Sequence, residues 1–124
     1  MKSNPGRVAA ASVEIIFGGK ENHMNGAVFF CSFKLNEGAS VPDFLQAAQT
    51  LNDEYISKQK GYISWKQLVD GETWADFLTF ETMEDVKKFE AESANAGELA
   101  QTFYSFINFN SIKQHYFLVE REYT

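Results

Sequence analysis

Five side chains in this sequence have types and positions suited to chemistry on a small aromatic or enolisable compound: Asp76, His115, Trp65, Trp74 and Tyr55. Asp76 is the pointed case. It falls within a run of strand-forming residues and faces Trp65 across a hairpin, so its carboxylate is expected to be partly desolvated and its pKa raised, as a base working near neutrality requires. The two tryptophans and Tyr55 would then give an apolar wall with hydrogen-bonding handles for a phenolate or enolate, and His115 a second proton carrier. Each of these residues has a plainer role open to it. Asp76 would serve equally at a sheet rim, accepting hydrogen bonds from its neighbours. His115 alternates with Lys113 and Phe117, so it faces either a helix-covered pocket or the opposite sheet surface, where a bond across a subunit interface is the commoner use. Cys31, between Phe29 and Phe33, reads as a small buried hydrophobe with no adjacent cation to favour a thiolate. Phe89, Leu99, Phe103 and Phe106 recur at helical spacing and read first as core, with Phe89 and Phe103 also placed to line a ligand pocket.

The element that must position these groups is a hairpin over residues 62–81, YISWKQLVDGETWADFLTFE. An Asp-Gly pair between two aromatic and β-branched runs is a strong short-range hairpin signal, because a positive-φ turn matches strand twist. With Asp70-Gly71 as the turn, Gln67 faces Trp74, Trp65 faces Asp76 and Ile63 faces Leu78 on one surface. Tyr62, Ser64, Lys66, Leu68, Thr73, Ala75, Phe77 and Thr79 fall on the other. Both surfaces carry large apolar groups, so each needs a cover.

Around the hairpin the pattern is regular. Residues 27–35, AVFFCSFKL, alternate as a core strand with Phe29, Cys31, Phe33 and Leu35 on one side. Ser40, Pro42 and Asp43 start a helix running to about residue 57, whose Phe44, Ala48, Leu51 and Tyr55 share a face. Thr82 caps a second helix with Glu84 and Asp85 in its first turn and Met83, Val86 and Phe89 on its buried side. Its pattern loosens over residues 94–97 and resumes over residues 98–107 as a second helical piece. The charges between Glu81 and Glu92 are read as a solvated helix face. Residues 108–111 read as a turn and residues 112–122 as a last strand. Ahead of all this, residues 1–26 read as a leader, with a short additional strand over residues 12–17 and a loop containing His23. Residues 27–124 then form one domain, in the order β-α-β-β-α-β.

Composition narrows the classes of function. With 17 acidic and 11 basic residues the net charge is −6, which repels a phosphate backbone and an anionic membrane alike, so neither nucleic acid nor membrane is an expected partner. One cysteine excludes an internal disulfide, and no Cys or His cluster has the spacing of a structural zinc site, so a reducing, cytoplasmic setting and no cofactor or metal are expected. No stretch approaches the length of a membrane span. Twelve Phe and an aromatic fraction of 15% exceed what a chain of this size needs for its own core, which points to an interface.

The element order is that of the ferredoxin-like split βαβ, an α+β fold with an antiparallel sheet and both helices on one face. That leaves the face bearing Val28 and Phe30 bare, and a second copy packed face to face would cover it, giving a homodimeric α+β barrel. Along this frame the landmarks Phe33-Lys34-Leu35-Asn36-Glu37-Gly38, Asp43-Phe44, Lys60-Gly61-Tyr62-Ile63, Trp74-Ala75-Asp76, Phe80-Glu81-Thr82-Met83-Glu84 and Ser111-Ile112-Lys113 resemble those of dimeric α+β barrel proteins similar to antibiotic-biosynthesis monooxygenases. The resemblance spans roughly residues 27–120 and implies a cofactor-independent, monooxygenase-like activity on a small hydrophobic or aromatic compound. It would make Asp76 and His115 the catalytic pair, with Cys31, Tyr55, Trp65, Trp74, Phe89 and Phe103 around the ligand. Haem-degrading members of the wider group need an Asn, a Trp and an axial His where this chain has Cys31, Phe89 and Leu99, and no His lies between Met24 and Gln114. The alternative is a non-catalytic module that holds a small ligand or dimerises, since no nucleophile-base pair, metal cluster or phosphate loop is legible.

Overall fold

The computed structural model describes residues 26–124. The expected leader, apart from its last residue, lies outside the described residues, as do the strand over residues 12–17 and His23. Four strands form one antiparallel sheet in the order β2-β3-β1-β4: β1 Ala27–Leu35, β2 Tyr62–Asp70, β3 Thr73–Phe80 and β4 Ile107–Leu118. Three α-helices, α1 Val41–Glu54, α2 Met83–Ala91 and α3 Glu98–Tyr104, cover one face of the sheet. This is the ferredoxin-like βαββαβ fold, its second helix split by a 3₁₀ turn at Ser93–Ala96.

Local chemistry sets the helix starts. Ser40 caps α1 by accepting from the Asp43 amide at 3.2 Å, and Thr82 caps α2 by accepting from the Asp85 amide at 3.0 Å, each satisfying an amide left unpaired by the first turn. Phe44, Ala48 and Leu51 of α1, Val86 of α2 and Phe103 of α3 then meet Phe29, Cys31, Phe33, Leu78 and Phe80 of the sheet in one apolar core. Phe44 is its hub. Its ring stacks on Phe103 at 5.2 Å and meets Trp74 edge-on at 5.3 Å.

Three local readings change in the folded chain. The hairpin turn sits on Gly71-Glu72, not Asp70-Gly71, because Asp70 pairs with Thr73 and extends the ladder by one more pair. Register therefore moves by two residues, which preserves the faces while replacing each partner: Gln67 now faces Asp76, Trp65 faces Leu78 and Val69 faces Trp74. The ladder slips again between Tyr62 and Ser64. That bulge carries Tyr62 to the helix-covered side, where its hydroxyl donates to Asn52 Oδ1 at 3.1 Å, and leaves Ile63 exposed. The polar stretch at residues 108–111 does not precede β4 but is a bulge inside it. Ser111 Oγ donates to the Asn108 carbonyl at 2.6 Å and accepts from the Lys34 amide at 2.8 Å, so the strand continues across the irregularity. β4 ends at Leu118 rather than residue 122.

One close approach carries a stability prediction. Gly61 has φ +82°, and a Cβ there would overlap the carboxylate of Asp85, a buried side chain that also pairs with Lys60 Nζ at 3.4 Å. Gly61→Ala combines a left-handed backbone with a displaced buried carboxylate, so it is expected to lower unfolding free energy by ~1–3 kcal/mol. The midpoint of a urea titration checks this. An unchanged midpoint would mean that Asp85 moves aside without cost.

Candidate functional site

Alternation on each strand aims one set of side chains beneath the helices. In the register observed, Gln67 of β2, Asp76 of β3, Cys31 of β1 and Gln114 of β4 form a polar row straight across the sheet on its helix-covered face. A polar row under a helix layer is unusual. Above it lies a small cavity of about 70 Å³, walled by Phe29, Leu78, Trp65, Phe89 and Phe103, with Leu51 and Ile56 completing the apolar lining. Asp76 lines this cavity directly, with Gln114, Glu90, Ser93 and Tyr104. The last four are exposed and form its mouth, and Ser93 and Tyr104 also line an outer groove.

Asp76 is 8% exposed, and the Trp65 indole Nε1 donates to its Oδ1 at 3.1 Å. Burial pushes its pKa up to about 7; the hydrogen bond from Trp65 and the nearby Gln67 amide pull the other way but do not cancel the desolvation. The Gln67 Nε2 is itself buried, close to Asp76 along the ladder, yet in hydrogen-bonding geometry with no acceptor. Asp76 is thus a carboxyl that exchanges its proton near neutrality while facing an apolar chamber. The diagonal contact between Trp65 and Asp76 depends on the shifted register, because side chains two residues off the direct pair lie within reach of a long aromatic group.

Neighbouring groups are held protonated. Burial, then the Asp76 charge, pushes the Cys31 thiol up to about 12. Desolvation of the Tyr104 phenol, whose residue is 36% exposed, reinforced by Asp76, Cys31 and Glu90, likewise raises it to about 12. Neither is a nucleophile at physiological pH. Tyr104 keeps a protonated hydroxyl at the cavity lining.

Of the residues singled out by sequence, the fold brings Asp76, Trp65, Phe89 and Phe103 together around the cavity. Cys31 lies beside Asp76 in the row, in the core. Three others are placed elsewhere. The Tyr55 hydroxyl donates to the Glu92 carbonyl at 3.0 Å, tying the end of α1 to the end of α2. Trp74, two residues from Asp76 on the same face, is drawn toward α1 by Phe44. His115 is on the opposite face of the sheet, stacked on Phe117 at 5.4 Å and near Phe30 at 6.5 Å, so the sheet separates it from Asp76. Sequence reading missed Glu90, Ser93, Tyr104 and Gln114. Gln114 was the traceable one, since β-α-β-β-α-β order puts β4 beside β1, and alternation puts it opposite His115.

Among the described residues no three His, Cys, Asp or Glu side chains gather in an arrangement able to hold a metal ion, and no helix is long and apolar enough to cross a membrane.

No protein-family model matches the sequence, and no curated protein matches it significantly. Solved structures do match in fold. SnoaB, a cofactor-independent oxygenase from Streptomyces nogalater, superposes with a TM-score of 0.65 at 9% identity over 79% of this chain and 96% of its own. A candidate antibiotic biosynthesis monooxygenase from Bordetella bronchiseptica gives 0.64 at 12% identity, covering 82% of this chain and all of that one, 100%. A dimeric ferredoxin-like protein from an uncultured marine organism gives 0.60 at 12% identity over 86% and 98% of the two chains. The fold is therefore that of the dimeric α+β barrel proteins resembling antibiotic-biosynthesis monooxygenases, the group to which the sequence landmarks pointed.

Proposed function

We propose that the cavity under α2 and α3 is the active site of a cofactor-independent oxygenase acting on a small hydrophobic compound with an acidic C–H or phenolic O–H. The observation that carries this reading is Asp76, a carboxyl facing an apolar chamber with a pKa near 7 and a single indole hydrogen bond. A general base is most effective when its pKa lies near the working pH. The fold match to a cofactor-independent oxygenase supports the reaction class.

The chemistry balances with dioxygen as the only co-reactant. The Asp76 carboxylate takes a proton from an activated methylene, leaving a carbanion delocalised into the aromatic or enolic system. Dioxygen accepts electrons from that anion and bonds to the carbon, and the proton held on Asp76 completes a hydroperoxide. Removal of the remaining C–H proton by Asp76 expels hydroxide, which is protonated to water as the carbonyl forms. The methylene carbon loses four electrons, dioxygen gains four, and one oxygen atom ends in the product and one in water. Phe29, Phe89 and Phe103 exclude water from the anion, and Tyr104 and Gln114 supply donors to the oxygen that carries its charge. The enclosed part is small, so a fused-ring substrate extends past Tyr104 and Ser93 into the outer groove.

The sheet face opposite the helices supports a homodimer. Its rows run Lys66, Phe77, Phe30, His115 and Ser64, Thr79, Val28, Phe117; Val28 is buried and Phe30 and Phe77 are half-buried while His115 and Phe117 are exposed, and a second copy of the same face would cover what remains open. A non-catalytic dimerisation module would use this face and leave the cavity idle. The two uses part in an oxygen electrode. Metal-stripped protein in the presence of a chelator is offered anthrone and simpler activated methylene compounds at pH 8. Oxygen uptake coupled one to one with ketone formation is expected, and failure of the whole panel to stimulate uptake above the buffer rate would remove the oxygenase.

A further inference from the structure

We propose that the Asp76 and Glu90 carboxylates make the cavity selective for charge, so that it admits uncharged hydrogen-bond donors and turns away anions of the same shape. This inference rests on the reading of the cavity as a ligand site and specifies what it accepts.

Two carboxyl side chains line the chamber, Asp76 in its inner wall and Glu90 at its mouth. Among the described residues that line it there is no Lys, Arg or His. Lys87 and Lys88, the cations on either side of the α2 buried face, are exposed and do not reach the lining. The remaining wall is aromatic and aliphatic apart from the uncharged Ser93 and Gln114 at the mouth, so the interaction between a carboxylate and an incoming anion is weakly screened inside compared with water. An anionic ligand would place a third negative charge beside two, with no counter-ion. A neutral ligand does not. When its O–H or N–H proton passes to Asp76, the charge on the carboxylate moves to the ligand and the total in the chamber stays constant. Hydrogen-bonding capacity points the same way. An ionised Asp76 only accepts, and beside the Trp65 N–H already given to it a carboxylate has room to accept a further donor from the cavity side.

Benzamide and benzoate test this, being alike in shape and different in charge. The chain has two tryptophans, Trp65 at the cavity and Trp74 away from it, so their indole N–H resonances report site occupancy and provide an internal control. At pH 8 benzamide is expected to shift the Trp65 signal with at least tenfold higher affinity than benzoate, leaving Trp74 in place. Glu90→Gln is expected to raise benzoate affinity at least fivefold more than it changes benzamide affinity. Benzoate binding as tightly as benzamide, or a gap that Glu90→Gln leaves untouched, would overturn charge selection while leaving a ligand site in place. If neither compound moves Trp65, or both move Trp74 instead, the cavity is not an aromatic ligand site and the functional reading falls with the inference.

Discussion

Asp76→Asn is expected to cut turnover by orders of magnitude while making the protein more stable at pH 8. The amide keeps an oxygen where the Trp65 indole donates, so the local geometry survives, but it cannot carry a proton away from a substrate. Loss of a positioned general base lowers kcat by about 10²–10⁴-fold. The stability effect follows from the same burial. An Asp carboxyl titrates near 3.8 in the unfolded chain and near 7 here, so between those values the folded state holds more protons than the unfolded one. Stability conferred by the protonated form is present at pH below about 4, falls as pH rises through the window from about 4 to 7, and stays at its lower level above it. Each unit of separation corresponds to about 1.4 kcal/mol, so the full fall is on the order of a few kcal/mol. Asn carries no charge and its curve lacks this fall. Parent and variant should therefore unfold at similar denaturant concentrations at pH 4 and diverge by pH 8, the variant being the more stable. A pair of parallel curves across that range would show that Asp76 is not a desolvated carboxyl, and the case for a base would go with it. Such an inverse relation between stability and activity is common where a charged group is buried for function.

Phe30→Glu should convert a dimer into a folded monomer. Phe30 lies half-buried at the middle of the sheet face opposite the helices, next to Phe77 of β3 and near His115 and Phe117 of β4. Anchors near the centre of an interface contribute most of its affinity, commonly about 2–4 kcal/mol each, and a charge buried there without a partner adds a desolvation cost. The dimer dissociation constant is expected to rise by about two to three orders of magnitude, read by sedimentation across a dilution series. Phe30→Ala separates loss of contact from charge and should fall between parent and Phe30→Glu. A parent that sediments as a monomer at all concentrations, or a Phe30→Glu dimer as tight as the parent's, would locate the covering of this face elsewhere. The Asp76 cavity lies on the other side of the sheet, so its ligand affinity in the monomer tells whether dimerisation is needed for binding.

Periodicity carried the fold. The alternation of Phe29, Cys31, Phe33 and Leu35, the caps at Ser40 and Thr82, and the helical spacing of Phe44, Ala48 and Leu51 are local signals, and each led to the element observed. Register was less legible, since Asp70-Gly71 and Gly71-Glu72 are both acceptable turns and only pairing along the whole ladder chooses between them. The bulges at Ile63 and residues 108–111 were invisible for a similar reason. A ladder absorbs extra residues wherever its partner strand and nearby hydroxyls satisfy the freed backbone groups, as Ser111 does for Lys34.

The site divides along the same line. From residue types alone the chain declared an aromatic-rich α+β domain with a carboxylate and a tryptophan on one face of a hairpin, because strand period and hairpin proximity are properties of neighbouring residues. Only the tertiary structure could decide that Asp76 lies beneath the helices while His115 lies on the opposite face, since parity on β4 has meaning only once β4 is docked against β1. It also decided that Tyr55 and Trp74 serve α1 and that Glu90 and Tyr104 stand at the mouth of the cavity. The carboxyl pKa belongs to that level as well. Desolvation is set by what surrounds a group from every direction, and no stretch of chain contains its own surroundings.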